Sequence, residues 1–576
     1  MTSIRLNSKY WKKKNRDMKF LKENWKLLVI LALAIFLRFY KLSTIPIGFN
    51  DDEAAFGYNA YSIMKSGYDE WGRLLPFPAF ESFGDWKLVF YLYLTVASQF
   101  IFGATEFATR FPSALFGVLA IFASYLLAGK LFNKNVGLLS AFLLSISPWH
   151  VIASRNAFES DILIFSITIA TYLFLLGLKK GKFMIFSLAI FLISFYIYRS
   201  SWLFVPLFLA SLVLLHKNRL KTLKINLLTQ LVVVIIFTAP LVPAVLNFSG
   251  QSRFLQESFI FGVAKRGITN EINEKRGDCR QNLQRAVCII FYNKFLSYIT
   301  VYFNNYFENL SPSTYFTKAT AGGYQSFVNR GLFYSFELPF LVLGIFYLVI
   351  TKNPAAKILI PWLLLAPVGA SFTQIGNPGR LNILMPAPQI ITAFGILTVV
   401  ALIKQVHLKK IIAAGVIIVI CVSLARFLLD LFAQSPQIAG RAQRYGYKEL
   451  FNYLESQKGN YYEIAVSRQG DDAKQYIHYL FFTKPDPEIF FDPEISTRYR
   501  GGDGWQVVEK IGKVHFYEQT PKIVELPPAT LLAVSANELS TLQEPIFTAK
   551  YLNGDSAFEV YDVDQLKKAL EVQKND

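Results

Sequence analysis

Eleven long apolar runs, separated by short polar loops, leave this 576-residue chain few folds other than a bundle of membrane-crossing helices. They cover residues 27–39, 114–128, 136–146, 162–178, 183–198, 202–215, 227–246, 332–350, 358–372, 390–403 and 411–432. With its flanks, each approaches the ~20 residues that a helix needs to cross a bilayer. Hydrophobic residues make up 53% of the chain and charged ones only 17%, which excludes an ordinary soluble enzyme. The net charge of +19 would ordinarily raise the question of nucleic acid. Here the Lys and Arg residues collect in short loops between runs, so the excess reads as a topology signal, not as a binding patch. Residues 1–26 form a basic arm before the first run, with no small-residue cleavage site, and read as a retained anchor.

The segment 88–102 is apolar but short, and whether it crosses decides the side of every later loop. If it does not cross, Lys130, Lys134, Lys179, Lys180, Lys182, Lys217, Arg219, Lys221, Lys224, Lys352, Lys357, Lys404, Lys409 and Lys410 share the cytoplasmic side with the basic arm. The opposite short loops then hold only Arg155, Arg199 and Arg380. The positive-inside rule favours that arrangement. It gives about eleven spans, a cytoplasmic N-terminus and an extracytoplasmic C-terminus. A first outer loop runs over 46–109 and a second over 247–330. Cys279 and Cys288 both fall in the second, where either a disulfide or two free thiols would fit.

After about residue 433 the composition changes, with frequent charges and short segments. Helices are expected over 444–456 and 472–482. Strands are expected over 462–467, 488–491, 513–517, 530–534, 547–551 and 557–561, the last two joined by an Asn553-Gly554 turn. Residues 433–576 therefore read as a small soluble α/β domain on the outer side, following a membrane domain over 27–432. The fold class expected is an all-α polytopic membrane protein with a small C-terminal extracytoplasmic α/β domain. The five His residues show no metal-ligand spacing, and no glycine-rich phosphate loop is present.

Charged groups converge on the outer side. Asp51, Asp52 and Glu53 follow the first run, close to the bilayer, where carboxylates are costly and tend to mark a site. Glu81, Asp85 and Lys87 precede segment 88–102, and Glu106 and Arg110 follow it. Arg38, Arg155, Glu159, Asp161 and Arg380 lie at the outer ends of runs. A carboxylate can take a proton from a hydroxyl, and Arg or Lys can hold a departing phosphate. A phosphate at this depth would belong to a lipid-linked donor. Blander roles compete: Asp51 and Asp52 as helix caps, Arg38 snorkelling to headgroups, Lys87 as an interface anchor, Glu106 with Arg110 and Arg155 with Glu159 as helix-surface pairs. Asp69-Glu70, between Gly67 and Gly72, reads as a solvated turn.

The stretches DDEAAFGYNAYSIMKSGYDEWG, PAFESFGDWKLVFYLYL, FGATEFATRFPSALFG and SISPWHVIASRNAFESD, in that order, resemble the glycosyltransferase 39 type of membrane enzyme. These are relatives of the protein O-mannosyltransferases and of the aminoarabinose transferase acting on lipid A. The resemblance covers roughly 27–215, with GNPGRLNILMPAP as a later piece. It implies a GT-C fold, a polyprenyl-phosphate-linked sugar donor, and inversion at the anomeric carbon. It also implies that Asp52 is the general base, that Glu53 orients a substrate and that Asp51 is an extra carboxylate beside the base. Lys87, Arg110, Arg38, Arg155 and Arg380 are the implied donor-phosphate contacts, and Asp85 and Glu159 further substrate contacts. The acceptor would be a glycan, lipid or protein of the cell envelope, at the plasma membrane. No obligatory metal is expected, though related folds use one and a divalent ion stays open. A secondary transporter or lipid flippase is the alternative; its inverted repeats and broken helices are not evident in the sequence.

Overall fold

The computed structural model describes residues 22–223, 226–243, 258–262, 264–317, 331–373, 375–438, 440, 442–469, 474–501, 505–539 and 543–575. Its first described helix occupies 22–39. Among the described residues, four helices are long and apolar enough to cross a membrane: Glu106–Leu131, Glu159–Gly177, Arg285–Leu310 and Val406–Ile438. The pair Pro378–Leu384 and Ala387–Leu402 adds a fifth if its 52° bend lies within one span. Seven further apolar helices are shorter, Lys134–Ile146 and Phe183–Tyr196 among them. Eleven full-length spans are not found among the described residues; the apolar helices are of uneven length, and one candidate span, Arg285–Leu310, lies in the expected second outer loop. Interior prolines contribute to this unevenness: Pro361 and Pro367 lie inside Ala356–Ala370, and Pro206 inside Ser201–Leu215.

Helix Glu106–Leu131 packs against both Lys134–Ile146 and Glu159–Gly177. Small polar side chains line the seam: Ser124 Oγ meets Ser140 Oγ at 2.8 Å. Glu337–Ile350 and Ala387–Leu402 approach more closely still, since a Cβ on Gly395 would lie 2.1 Å from the Phe340 carbonyl oxygen.

The first loop folds back on the bundle. Helix Asp51–Ser66 is followed by a two-stranded ribbon, Ala79–Ser82 with Asp85–Leu88, that pairs Phe80 with Lys87 and Glu81 with Trp86. The ribbon leads into helix Val89–Phe102, whose 14 residues rise about 21 Å, short of a ~30 Å hydrocarbon core. Both of its ends touch the same neighbours: Tyr91 Oη donates to the Thr109 carbonyl at 2.8 Å and Ser98 Oγ to that of Ala108 at 2.6 Å. Glu53 before this helix and Arg110 after it are bonded at 2.7 Å. The segment thus returns to the end of the bundle from which it departs.

The C-terminal domain is a seven-stranded mixed sheet with helices. From edge to edge its strands are Ser496–Arg500, Gln506–Ile511, Val514–Tyr517, Glu463–Ser467, Thr530–Ser535, Ser556–Asp562 and Phe547–Lys550. The central Glu463–Ser467 is parallel to both neighbours and buried at every position, as a sheet covered on both faces requires. Residues expected as a strand at 488–491 instead form helix Pro487–Phe491, because Asp486 caps it and Pro487 opens it. Strands Ser496–Arg500 and Gln506–Ile511 were not expected.

This domain does not stand apart from the membrane domain. Phe49, Ala54, Ala55, Tyr58 and Phe83 of the first loop share one apolar core with Leu450, Phe451, Tyr476, Ile477 and Leu480. Phe49 stacks on Phe481 at 4.5 Å, and its N–H donates to the Gln443 carbonyl at 2.8 Å. Gly48 makes that approach feasible: its φ is +75°, and a Cβ would lie 2.1 Å from the Gln443 oxygen. Gly48→Ala should therefore loosen the joint. Thermal unfolding in detergent is expected to show a loss above about 1 kcal/mol, with faster proteolysis near residue 440 than in the wild type.

Candidate active site at the mouth of the bundle

The acidic motif opens a helix. Asn50, not an aspartate, is the N-cap: its side chain accepts from the Glu53 N–H at 3.1 Å, and Glu53 reaches back to the Asn50 N–H at 3.2 Å. This reciprocal capping box releases Asp51 and Asp52 from the capping role. All three carboxylates lie in the first turn, where the helix dipole favours anions. Successive helical residues point about 100° apart, so the three acids face three directions.

Glu53 faces inward and is fully buried against Arg110. Its Oε1 accepts from Arg110 Nε at 2.7 Å and from the Ala157 N–H at 2.9 Å. Its Oε2 accepts from Arg110 Nη2 at 2.9 Å and from Asn50. Arg110 also donates to the carbonyls of Leu42, Pro46 and Gly48. All five guanidinium donors of Arg110 are thus engaged inside the protein. Glu53 and Arg110, expected to orient a substrate and to hold phosphate, are here bonded to each other and to the backbone, and close the loop beneath the site.

Arg155 and Arg38, also expected as phosphate contacts, likewise donate to backbone carbonyls. Arg155 is buried and donates to the carbonyls of Leu37, Tyr40, Lys41 and Ile45. Together with Arg110 it clamps the chain over 37–48. Arg38 turns into the bundle instead of towards headgroups, donating to the carbonyls of Ala34, Ser145 and Leu144 and lying 2.6 Å from His150 Nδ1.

Asp51 faces the C-terminal domain. Its carboxylate lies 2.9 Å from His478 Nε2, 3.1 Å from Arg444 Nε and 3.8 Å from Lys474 Nζ. Burial alone would push this carboxyl up, but the His478 hydrogen bond and the charges of Arg444 and Lys474 outweigh it and hold it well below the usual carboxylate range. None of these three partners was legible in the sequence. They lie some 400 residues from Asp51, and nothing local marks them.

Asp52 keeps 23% of its side chain exposed. It lies 3.2 Å from Lys87 Nζ, which is itself 3.2 Å from Asp85. Lys87 is almost wholly buried on the ribbon, 4.0 Å from the Phe83 ring centre. Arg199, read as structural, donates to the Trp86 carbonyl and so buttresses the ribbon beside Lys87. Asp52, Lys87 and Asp85 are therefore the expected residues that the fold brings together. Glu159 opens helix Glu159–Gly177. Arg380 sits half-buried on the one-turn helix Pro378–Leu381. Asn382 just after it donates to Ser160 Oγ at 2.8 Å, which brings the Arg380 and Glu159 segments to one end of the bundle. Among the described residues, no group of three or more His, Cys, Asp and Glu side chains is close enough to hold a metal.

Asp69 and Glu70 are not solvated. Both are fully buried. Asp69 caps its own turn, accepting from the N–H groups of Trp71 and Arg73 at 2.9 Å. Among the described residues neither carboxyl oxygen of Glu70 has a hydrogen-bond partner, and burial, with Asp69 adding to it, pushes its pKa up to about 8.

Residues 88–243 match the model of the family described as dolichyl-phosphate-mannose-protein mannosyltransferase. Over that stretch, about a quarter of its length, the chain is similar to those enzymes. YkcB, a candidate mannosyltransferase of Bacillus subtilis, is 29% identical over 173 residues, which is 29% of this chain and 22% of that one. Dolichyl-phosphooligosaccharide-protein glycotransferase 2 of Pyrococcus horikoshii is 27% identical over 176 residues, 28% and 22% of the two chains. The match thus spans under a quarter of each relative's length. The crystal structure of apo ArnT from Cupriavidus metallidurans superposes with a TM-score of 0.51 at 14% identity, covering 94% of this chain and 98% of that one. That likeness shows a shared fold.

Two outcomes follow from the geometry. Glu53→Gln should cost about 3–5 kcal/mol, since it strands the Arg110 guanidinium in the interior, whereas Asp52→Asn should change stability by about 1 kcal/mol. Thermal unfolding of the two variants checks this. The pH response separates the other acids. Asp51, with its folded pKa depressed, contributes stability that is present above about pH 4 and lost as pH falls below it. Glu70, with its folded pKa raised from 4.5 to about 8, destabilises progressively as pH rises through that window. Glu70→Gln should therefore match the wild type near pH 4.5 and exceed it by on the order of 3–5 kcal/mol at pH 8; a gap independent of pH would contradict the assignment.

Proposed function

We propose that this chain is an inverting glycosyltransferase that moves a sugar from a polyprenyl-phosphate-linked donor to an acceptor hydroxyl at the outer face of the plasma membrane. The observation that carries the reading is the Asp52–Lys87 pair. Of the three acids Asp52 keeps the most solvent access, 23% of its side chain against 8% for Asp51 and none for Glu53, and a buried lysine stands 3.2 Å from it. Asp52 takes the proton of the acceptor hydroxyl as the new C1–O bond forms. The bond from C1 to the phosphate oxygen breaks on the opposite side, so the configuration inverts. Lys87 receives the growing charge of the leaving phosphate, and Arg380 is the second cation for it. Asp85, 3.2 Å from its Nζ, holds Lys87 in place until the donor arrives. The description of the matched family and the name of the Pyrococcus horikoshii relative, both of which specify dolichyl-linked donors, support this donor class. The Cys279–Cys288 disulfide supports an oxidising compartment for the segment that bears it, and the loop charges favour a cytoplasmic N-terminus. An envelope glycan, lipid or protein fits as acceptor equally well.

The reading is tested by transfer from radiolabelled polyprenyl-phosphate sugars to envelope acceptors in proteoliposomes. Asp52→Asn should lower transfer by roughly 10²–10⁴-fold with the fold intact. Lys87→Ala should lower it by roughly 10²–10³-fold. A chelator should leave wild-type turnover unchanged. Full activity in Asp52→Asn would remove the assigned base, and loss on chelation, restored by a divalent ion, would show that the lysine does not act alone.

A further inference from the structure

Helices Arg285–Phe291 and Lys294–Leu310 together pass the length and apolarity requirements of a membrane span, yet a chain of contacts shows that they do not cross. Before them, the Phe259 N–H donates to the Phe372 carbonyl at 3.3 Å. Phe372 belongs to the turn that continues to Asn382, and Asn382 bonds Ser160. Ser160 follows the turn that holds Ala157, whose N–H binds Glu53. After the helices, the Leu332 carbonyl accepts from the Trp149 N–H at 3.2 Å, at the start of that same turn. The chain from 259 to 332 therefore leaves and returns at the end of the bundle that carries Asp52.

The helix Lys294–Leu310 is two-faced. Tyr302 Oη donates to the Val368 carbonyl and Asn305 Nδ2 to that of Ser371, on the side turned to the bundle. Asn309 is fully buried, and its Oδ1 accepts from the Gly376 N–H at 2.9 Å, in the turn leading to Arg380. The other side carries Phe295, Ile299, Phe303 and Phe307, 71%, 38%, 49% and 64% exposed, in line after Phe291, which ends the preceding helix and is 66% exposed. The four-residue spacing makes these one stripe. Water is a poor environment for four phenyl rings in a row, and the neighbouring bundle exposes apolar side chains of its own, such as Val342 and Ile417. The N-terminal end is pinned to the charged helix Ala264–Arg280 by the Cys279–Cys288 disulfide and by Arg276 Nε donating to the Tyr292 carbonyl.

We propose that this helix pair lies flat in the membrane surface on the active-site side, its phenylalanine stripe sunk into the lipid, and that through Asn309 it holds the Arg380 turn at headgroup depth. The occupant of the stripe is the bilayer itself. The inference rests on contacts and exposure and stands whether or not the transfer reaction holds.

Spin labels test it in the full-length protein. Phe295→Cys, Phe303→Cys and Phe307→Cys are each made on a Cys421→Ser background, which leaves the native disulfide closed, and are reconstituted into phosphatidylcholine–phosphatidylglycerol vesicles. All three positions face outward, so label is tolerated at more than one of them. Collision with oxygen and with a water-soluble nickel chelate gives the depth of each. Labels at 295 and 307 are expected at depths within about 5 Å of each other, some 5–10 Å below the headgroups. A crossing helix would separate them by about 18 Å, twelve residues at 1.5 Å each. That result would overturn the proposal, as would chelate access equal to that of a free label. Spin–spin broadening lost on dilution with unlabelled protein would assign the stripe to a second copy of the chain and overturn it as well.

Discussion

The Glu53–Arg110 fork is the interaction on which the rest of the site depends. It is an ion pair withdrawn from water, which by itself is a weak source of stability. What makes it workable is saturation: each carboxylate oxygen accepts two hydrogen bonds, and each guanidinium N–H has an acceptor. In satisfying itself the fork ties together the acidic helix, the start of Glu106–Leu131, the carbonyls at 42, 46 and 48, and the turn at Ala157. Arg155 adds a second set of ties to the same stretch of backbone. A loop of this length next to a bilayer would otherwise have many arrangements. With both clamps in place it has one, and the acidic helix is aimed by it.

The three neighbouring acids then divide their roles by helical geometry. Glu53 points into the bundle, Asp51 towards the soluble domain, and Asp52 towards Lys87 and solvent. The first two are neutralised by partners that cannot leave without loosening the fold. Asp52 is balanced by a lysine that also has Asp85. Such a shared lysine can turn towards an incoming anion and leave each carboxylate within reach of a cation. The ordering of these environments, more than the number of charges, distinguishes a reactive group from its supports.

Much of the scaffold was readable from the residues. Long apolar runs announced the bundle, and the change of composition after residue 433 announced the α/β domain. Asn553-Gly554 marked its hairpin, where Gly554 takes φ +92°. The sequence also singled out Asp52, Lys87 and Asp85. What it could not separate was arginines that bind something from arginines that brace the chain. Arg38, Arg110 and Arg155 sit at run ends like any ligand-binding arginine, and only their distant carbonyl partners identify them as braces. Burial of Asp69-Glu70 was hidden for a similar reason. A turn flanked by glycines looks exposed until the soluble domain, with Arg498 donating to the Glu70 carbonyl at 3.0 Å, settles over it. Strand Ser496–Arg500 was missed because most of its side chains are exposed and polar, which removes the usual alternation.

The core shared by the acidic helix and the C-terminal domain bears on how the protein is made. Asp51 and Arg444 are 393 positions apart, so the helix emerges from the ribosome long before the surface that completes its packing. Through most of synthesis Ala54, Ala55 and Tyr58 have no Leu450 or Leu480 to cover them. The three acids therefore take the arrangement seen here only after every apolar helix has been placed and the last quarter of the chain has followed. An incompletely inserted chain therefore lacks the Asp51 contacts to Arg444 and His478.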